Sequence, residues 1–208
     1  SRKPRRLASP WSTSGQTLAN EPTAAWYVGI PRAGKTRLAH AHAVETSKAC
    51  GWPVLVVDSQ GVGNFAGWPH AASVDDAVLE VWGRRASCAY IPKDGEEVDR
   101  LVRAVLGAGR VVLLVDEAAY WLSSSRGRGG ALLRLLRAYR HAPAHVLLTT
   151  QHLSGDVPQE ALSCAPTLYV FRCTAPAVLD RLEREYSAPR DLVAALPQGK
   201  YLTFRTGF

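Results

Sequence analysis

The sequence predicts a single α/β domain with a central, mostly parallel β-sheet flanked by helices. Short, near-continuous apolar runs recur from Ala24 almost to the carboxyl terminus. Helix-length patterns separate them, which is how a parallel sheet buried on both faces reads in sequence. A chain of 208 residues is long enough for one well-buried core and short for two.

The elements follow in order. "AAWYVGI" (24–30) is a strand, followed by a helix from about Lys35 to Ala49. "PVLVVD" (53–58) is a second strand, closed by a turn through Gly61 and Gly63. Ser73, with Asp76 three residues on, has the pattern of an N-cap opening a helix over "SVDDAVLEVWGR". "CAYIP" is a short strand, and "DGEEVDRLVRAVLGAG" is an amphipathic helix ending at Gly107 or Gly109. "RVVLLVDE" (110–117) is the most apolar strand. A helix over about 130–141 precedes strands "HVLLTT" and "TLYVFRC". Helix "APAVLDRLEREY" and a last strand "KYLTFR" complete the domain, which spans residues 23–208. Residues 1–22 are rich in Ser, Pro and Arg, with no acid before Glu21, and read as a basic tail. Such a tail suits either nucleic-acid phosphates or plain solvent.

Composition narrows the function. An apolar share of 47% argues against wholesale disorder. A net charge of +7 points to a polyanionic partner without requiring one. Cys50, Cys88, Cys164 and Cys173 are scattered, without a CxxC pair or a metal-ligand cluster. They read as reduced, mostly buried thiols of an intracellular protein. No apolar run has the length of a membrane span, so no stable membrane insertion is expected.

"GIPRAGKT" (29–36) carries the chemistry. It fits the phosphate-loop pattern G-x-x-x-x-G-K-[ST], directly after a predicted strand and opening a predicted helix. Glycines let backbone N–H groups close around phosphate oxygens, and the helix N-terminus adds positive potential. Gly29, Pro31, Arg32, Ala33, Gly34, Lys35, Thr36 and Arg37 are the expected nucleotide-binding residues. Lys35 is to reach the outer phosphates, and the Thr36 hydroxyl is to ligate Mg²⁺. "VVLLVDEAAYWL" supplies the second acidic element: Asp116 to hold Mg²⁺ through water, Glu117 to polarise the attacking water as general base. Two adjacent carboxylates ending a buried strand are costly unless a cation binds there. Gln151 closes strand "HVLLTTQ" and fits either a sensor of the γ-phosphate or a cap. Mg-ATP hydrolysis is the expected reaction, and no "NKxD"-type guanine reader is present.

Loop, carboxylates and glutamine in this order resemble the HerA–FtsK superfamily of DNA-pumping P-loop ATPases. More specifically, the chain resembles the genome-packaging ATPases of tailless icosahedral viruses with double-jelly-roll capsids. The resemblance rests on "GIPRAGKT", "LLVDEAAYWL", "YRHAPAHVLLTTQ" and "DVPQEALSCAPTLYVFRCTAPAVLDRL", and covers about residues 24 to 205. It implies a RecA/FtsK-like fold and a homo-oligomeric ring, a hexamer, that threads double-stranded DNA into a capsid without reading its sequence. It also implies capsid vertex proteins as partners, and a place in the host cytoplasm or at the virion's packaging vertex. An arginine reaching into the next subunit's site is part of the implied mechanism. Arg140, before the glutamine strand, matches that role first, and Arg172 is the second candidate.

The other arginines of this region divide by context. Arg126 and Arg128, in "SSSRGRGG", suit either a repeated contact with the DNA backbone or a plain surface loop. Arg134 and Arg137 share one face of a predicted helix, solvated or against another subunit. Two rival functions keep the fold: a DNA export ATPase of the filamentous-phage or conjugation type, and a nucleotide-binding virion scaffold that does not hydrolyse. Glu117 and Gln151 together argue against the scaffold.

Overall fold

The computed structural model describes residues 21–61, 65–123, 130–151, 153 and 157–205. The basic tail up to Asn20 and the candidate DNA contacts Arg126 and Arg128 lie outside the described residues.

The strands are β1 (Ala24–Val28), β2 (Val54–Val57), β3 (Cys88–Tyr90), β4 (Val111–Val115), β5 (Ala144–Thr150), β6 (Thr167–Val170) and β7 (Leu202–Arg205). They form one sheet in the order β3-β2-β4-β5-β1-β6-β7. β7 runs antiparallel to β6; every other pairing is parallel. β1 to β5 are buried along their whole length, as a parallel sheet covered on both faces requires. β7, at the edge, is half exposed and ends the run of apolar strands.

Alternation sorts side chains onto two cores. Ala24, Trp26 and Val28 of β1 face the larger one. It holds residues from α2 (Val74–Val78), α3 (Gly95–Ala108), α5 (Ala131–Ala138) and α7 (Pro176–Tyr186). Ala25 and Tyr27 face the smaller core under α1 (Lys35–Cys50), whose fully buried Ala39 and Ala43 let the helix lie close to the sheet. The Trp26 indole N–H crosses the larger core to donate to the Ala161 carbonyl at 3.0 Å, so a large ring is buried with its polar atom satisfied.

Helix ends follow the local signals. The Ser73 hydroxyl accepts from the Asp76 N–H, and the Asp94 carboxylate accepts from the Glu97 N–H at 3.0 Å. After α2 the chain continues as a π-turn over Leu79–Gly83. Of the two glycines expected to end α3, Gly109 does so, with φ +58. A Cβ there would lie 2.9 Å from the Pro143 ring. Three short helices have no counterpart among the predicted elements: α4 (Ala119–Ser123), α6 (Gln159–Ser163) and α8 (Arg190–Ala194). Each is five residues long, too short for a helical period to stand out in sequence.

Cys88 and Cys173 are buried, and Cys50 and Cys164 are half-buried. Burial pushes the Cys88 thiol up to about 11 and Cys173 to about 12, so both are poor nucleophiles. No helix among the described residues is long and apolar enough to cross a membrane.

Candidate active site

The strand order brings the separate motifs to one edge. β5 lies between β4 and β1, so Gln151 comes to rest between the carboxylates that follow β4 and the loop that follows β1. A cleft of about 1160 Å³ opens there. Pro31, Arg32, Gly34, Lys35, Thr36 and Arg37 line it, together with Asp116, Glu117 and Gln151. Gly29 and Ala33 lie behind the surface, as supports. The Gly29 N–H donates to the Thr150 carbonyl at 3.3 Å, and a Cβ on Gly29 would lie 2.6 Å from Phe171 Cβ. Only glycine fits where the loop leaves β1 this close to β6.

The loop has the backbone that phosphate binding needs. Gly34 has φ +108 and Arg32 has φ +60 on either side of the buried Ala33, and α1 begins at Lys35. Lys35 is 5% exposed and donates from Nζ to the Ile30 carbonyl at 3.1 Å, folded across its own loop. Burial lowers its pKa below the ordinary lysine value, and Glu117 and Asp116 partly oppose that shift. A polyphosphate in the cleft would add an anionic partner to the neutral carbonyl that this ammonium now contacts.

The carboxylates are held by a threonine network. Thr36 Oγ1 donates to Asp116 Oδ1 at 3.0 Å, and Thr149 Oγ1 donates to the same oxygen at 2.7 Å. The Glu117 N–H donates to Thr149 Oγ1 at 3.0 Å. Glu117 has φ +48, a left-handed conformation that costs a residue with a Cβ about 1 kcal/mol or more. That turn swings its carboxylate toward β5. There Glu117 Oε1 accepts from the Gln151 N–H at 2.8 Å and from Thr150 Oγ1 at 3.1 Å. A strained residue held by several hydrogen bonds in a polar cleft is the pattern of a working group rather than a packing one.

The donors fit Mg²⁺. This ion keeps several waters and takes one or two protein oxygens plus substrate phosphates. A hydroxyl and a carboxylate 3.0 Å apart beside a phosphate loop offer that set.

No protein-family model matches the chain, and no curated protein does either. Solved structures do. The genome-packaging NTPase B204 of Sulfolobus turreted icosahedral virus 2, in complex with ATP-gammaS, matches with a TM-score of 0.73 at 22% identity. The match covers 88% of this chain and 92% of that one. B204 of Sulfolobus turreted icosahedral virus, a DNA-packaging ATPase, matches at 0.71 and 19% identity, over 89% and 93% of the two chains. VirB4 of Thermoanaerobacter pseudethanolicus matches at 0.62 and 11% identity, over 96% and 90%. The chain has the fold of a P-loop ATPase. Its structural neighbours are of the kind that the sequence resembles.

On this P-loop ATPase fold the two candidate arginine fingers stand at opposite ends. Arg172 is exposed at the carboxyl end of β6, and its carbonyl accepts the Ile30 N–H at 2.9 Å, beside its own phosphate loop. Arg140 is exposed between α5 and the amino end of β5, with its guanidinium 5.8 Å from the Tyr139 ring centre. Residues 141–143 and the seven residues of β5 separate it from Gln151, and the strand alone spans roughly 20 Å. Arg140 is out of reach of its own cleft. Arg137 forms a two-pronged ion pair with Glu160, one contact of it at 2.6 Å, while Arg134 is exposed on the same helix.

Several residues of the site escaped the sequence reading. Gln60, after β2, lines the cleft on the far side of the carboxylates, its N–H held by the buried Asp58 carboxylate at 3.2 Å. Ser59 donates to the Asp116 carbonyl and accepts the Trp121 indole N–H at 2.5 Å, which joins α4 to the end of β4. Gln198, Gly199 and Tyr201 line the opposite end. Arg181 of α7, 8% exposed, donates to the carbonyls of Leu153 and Val157, the latter at 2.8 Å, and to Gln159 Oε1 at 3.1 Å. Asp58, directly after an apolar strand, is the only one of these with a local signal: a carboxylate at a strand's carboxyl end.

Proposed function

We propose that this chain is a Mg²⁺-dependent ATPase that drives double-stranded DNA, packaging a viral genome into a preformed capsid as a ring of identical subunits, a hexamer. The observation that carries the chemistry is the direct contact of Thr36 with Asp116 at 3.0 Å, with Lys35, Glu117 and Gln151 around the same cleft. The likeness to the B204 packaging ATPases over nearly the full length of both chains supports the DNA task.

In this reading the loop N–H groups and Lys35 take the β- and γ-phosphates. Thr36, and Asp116 through water, would hold Mg²⁺, which would supply charge neutralisation at the phosphates. Water attacks the γ-phosphorus in line with the departing ADP oxygen, and the Glu117 carboxylate takes its proton. The products are ADP and phosphate. Gln151, carried by the strand between the two motifs, positions the water or senses the γ-phosphate. Arg126 and Arg128 are retained as proposed contacts to the DNA backbone.

Lys35→Ala is expected to weaken ATP binding and to remove DNA-stimulated hydrolysis, read as phosphate release with Mg²⁺ and linear duplex DNA. Absence of hydrolysis by the unaltered protein under those conditions would overturn the motor reading.

A further inference from the structure

The cleft extends beyond the phosphate machinery to a wall that none of the proposed chemistry uses. β6 and β7 lie on the other side of β1 from β4 and β5, so this wall stands opposite the carboxylates. The turn before β7 is laid directly on the phosphate loop. The Gly199 N–H donates to the Ala33 carbonyl at 3.1 Å, and the Gln198 side-chain amide donates to the Arg32 carbonyl at 3.2 Å. The turn then presents Tyr201, 40% exposed although it lines the cleft. Two buried rings pack against it: Phe171, tilted, at 5.4 Å and Tyr169, edge-on, at 5.7 Å between ring centres. From α1, Leu38 and Ala41 add apolar surface to the lining.

A large, partly exposed aromatic ring, braced by two buried rings in a cleft whose other end holds the phosphate loop, can serve as a stacking surface. Resting on the nucleotide reading of the cleft, we propose that Tyr201 is the platform on which the base of the bound nucleoside triphosphate stacks. The wall reads the face of the base and not its edge. Gln198, the amide of this wall, gives one of its two side-chain N–H groups to the loop. Stacking uses a face that adenine and guanine share, so the site takes their triphosphates with similar affinity, and the larger purine face holds better than a pyrimidine.

The test is equilibrium binding of Mg-ATP, Mg-GTP, Mg-CTP and inorganic tripolyphosphate, which lacks a base. For the unaltered protein, ATP and GTP are expected within about threefold, and CTP weaker. Tyr201→Ala is expected to weaken ATP and GTP by about 5- to 100-fold, the range of base–aromatic stacking, and to leave tripolyphosphate unchanged. Tyr201→Phe should restore purine affinity. Unchanged ATP affinity in Tyr201→Ala would overturn the proposal, and so would an equal loss for tripolyphosphate or a tenfold preference between the purines. Failure of the unaltered protein to bind either ATP or tripolyphosphate would instead remove the nucleotide reading itself.

Discussion

Glu117→Gln is expected to lower ATP turnover by about 10²- to 10⁴-fold while ATP still binds, because the amide keeps the shape of the side chain and loses the proton acceptor. The geometry makes this substitution unusually clean. Glu117 Oε1 accepts from the Gln151 N–H and Thr150 Oγ1, and the glutamine carbonyl oxygen can accept from the same two donors. Asp116 and its threonine partners are untouched, since they contact the other carboxylate of the pair. The measurement is single-turnover hydrolysis set beside nucleotide affinity. A variant that hydrolyses at the unaltered rate would show that Glu117 is not the base. A variant that no longer binds nucleotide would assign it to positioning.

Arg140→Ala is expected to cost about 10³-fold or more in hydrolysis, with or without DNA, if its guanidinium completes the site of a neighbouring subunit. Distance gives this a sharp form. Arg140 stands at the amino end of β5, roughly 20 Å from the cleft of its own chain, so whatever it does at a phosphate it does in trans. Mixing Arg140→Ala subunits with Lys35→Ala subunits tests this directly, each variant alone being inactive. In a mixed ring some interfaces pair an intact Lys35 with an intact Arg140, and activity is expected to return at those. No recovery on mixing would exclude the trans role for Arg140. Arg172 then becomes the arginine to replace. It stands beside its own phosphate loop and binds that loop through its main-chain carbonyl, which Arg172→Ala preserves.

The part of the candidate site that was legible in sequence is the part that the chain writes locally. The phosphate loop is a strand, a tight turn and a helix within consecutive residues, and each piece has a compositional signature. Asp116 and Glu117 announce themselves because carboxylates are out of place at the end of "VVLLV". The sheet was legible for the same reason: fully buried strands are apolar without interruption. What stayed hidden depends on the far ends of the chain meeting. Gln198 touches Arg32 across 166 positions, and Tyr201 belongs to the site only because β7 turns back beside β6. Arg181 was hidden in another way. It sits in "LDRLEREY" looking like solvated helix charge, while its guanidinium is buried among carbonyls of another segment.

That buried guanidinium has a consequence for local stability. Arg181 fastens the chain just beyond Gln151 to the middle of α7, through the carbonyls of Leu153 and Val157 and the side chain of Gln159 at the start of α6. Releasing it would leave the buried Leu153 and Val157 carbonyls without this donor, so neither side can loosen alone. The end of β5, α6 and α7 should behave as one unit of local opening, and their slowest-exchanging amides are expected to respond in parallel to low concentrations of denaturant. Any shift of Gln151 that loosens this tie would then be felt first as increased exchange in α7.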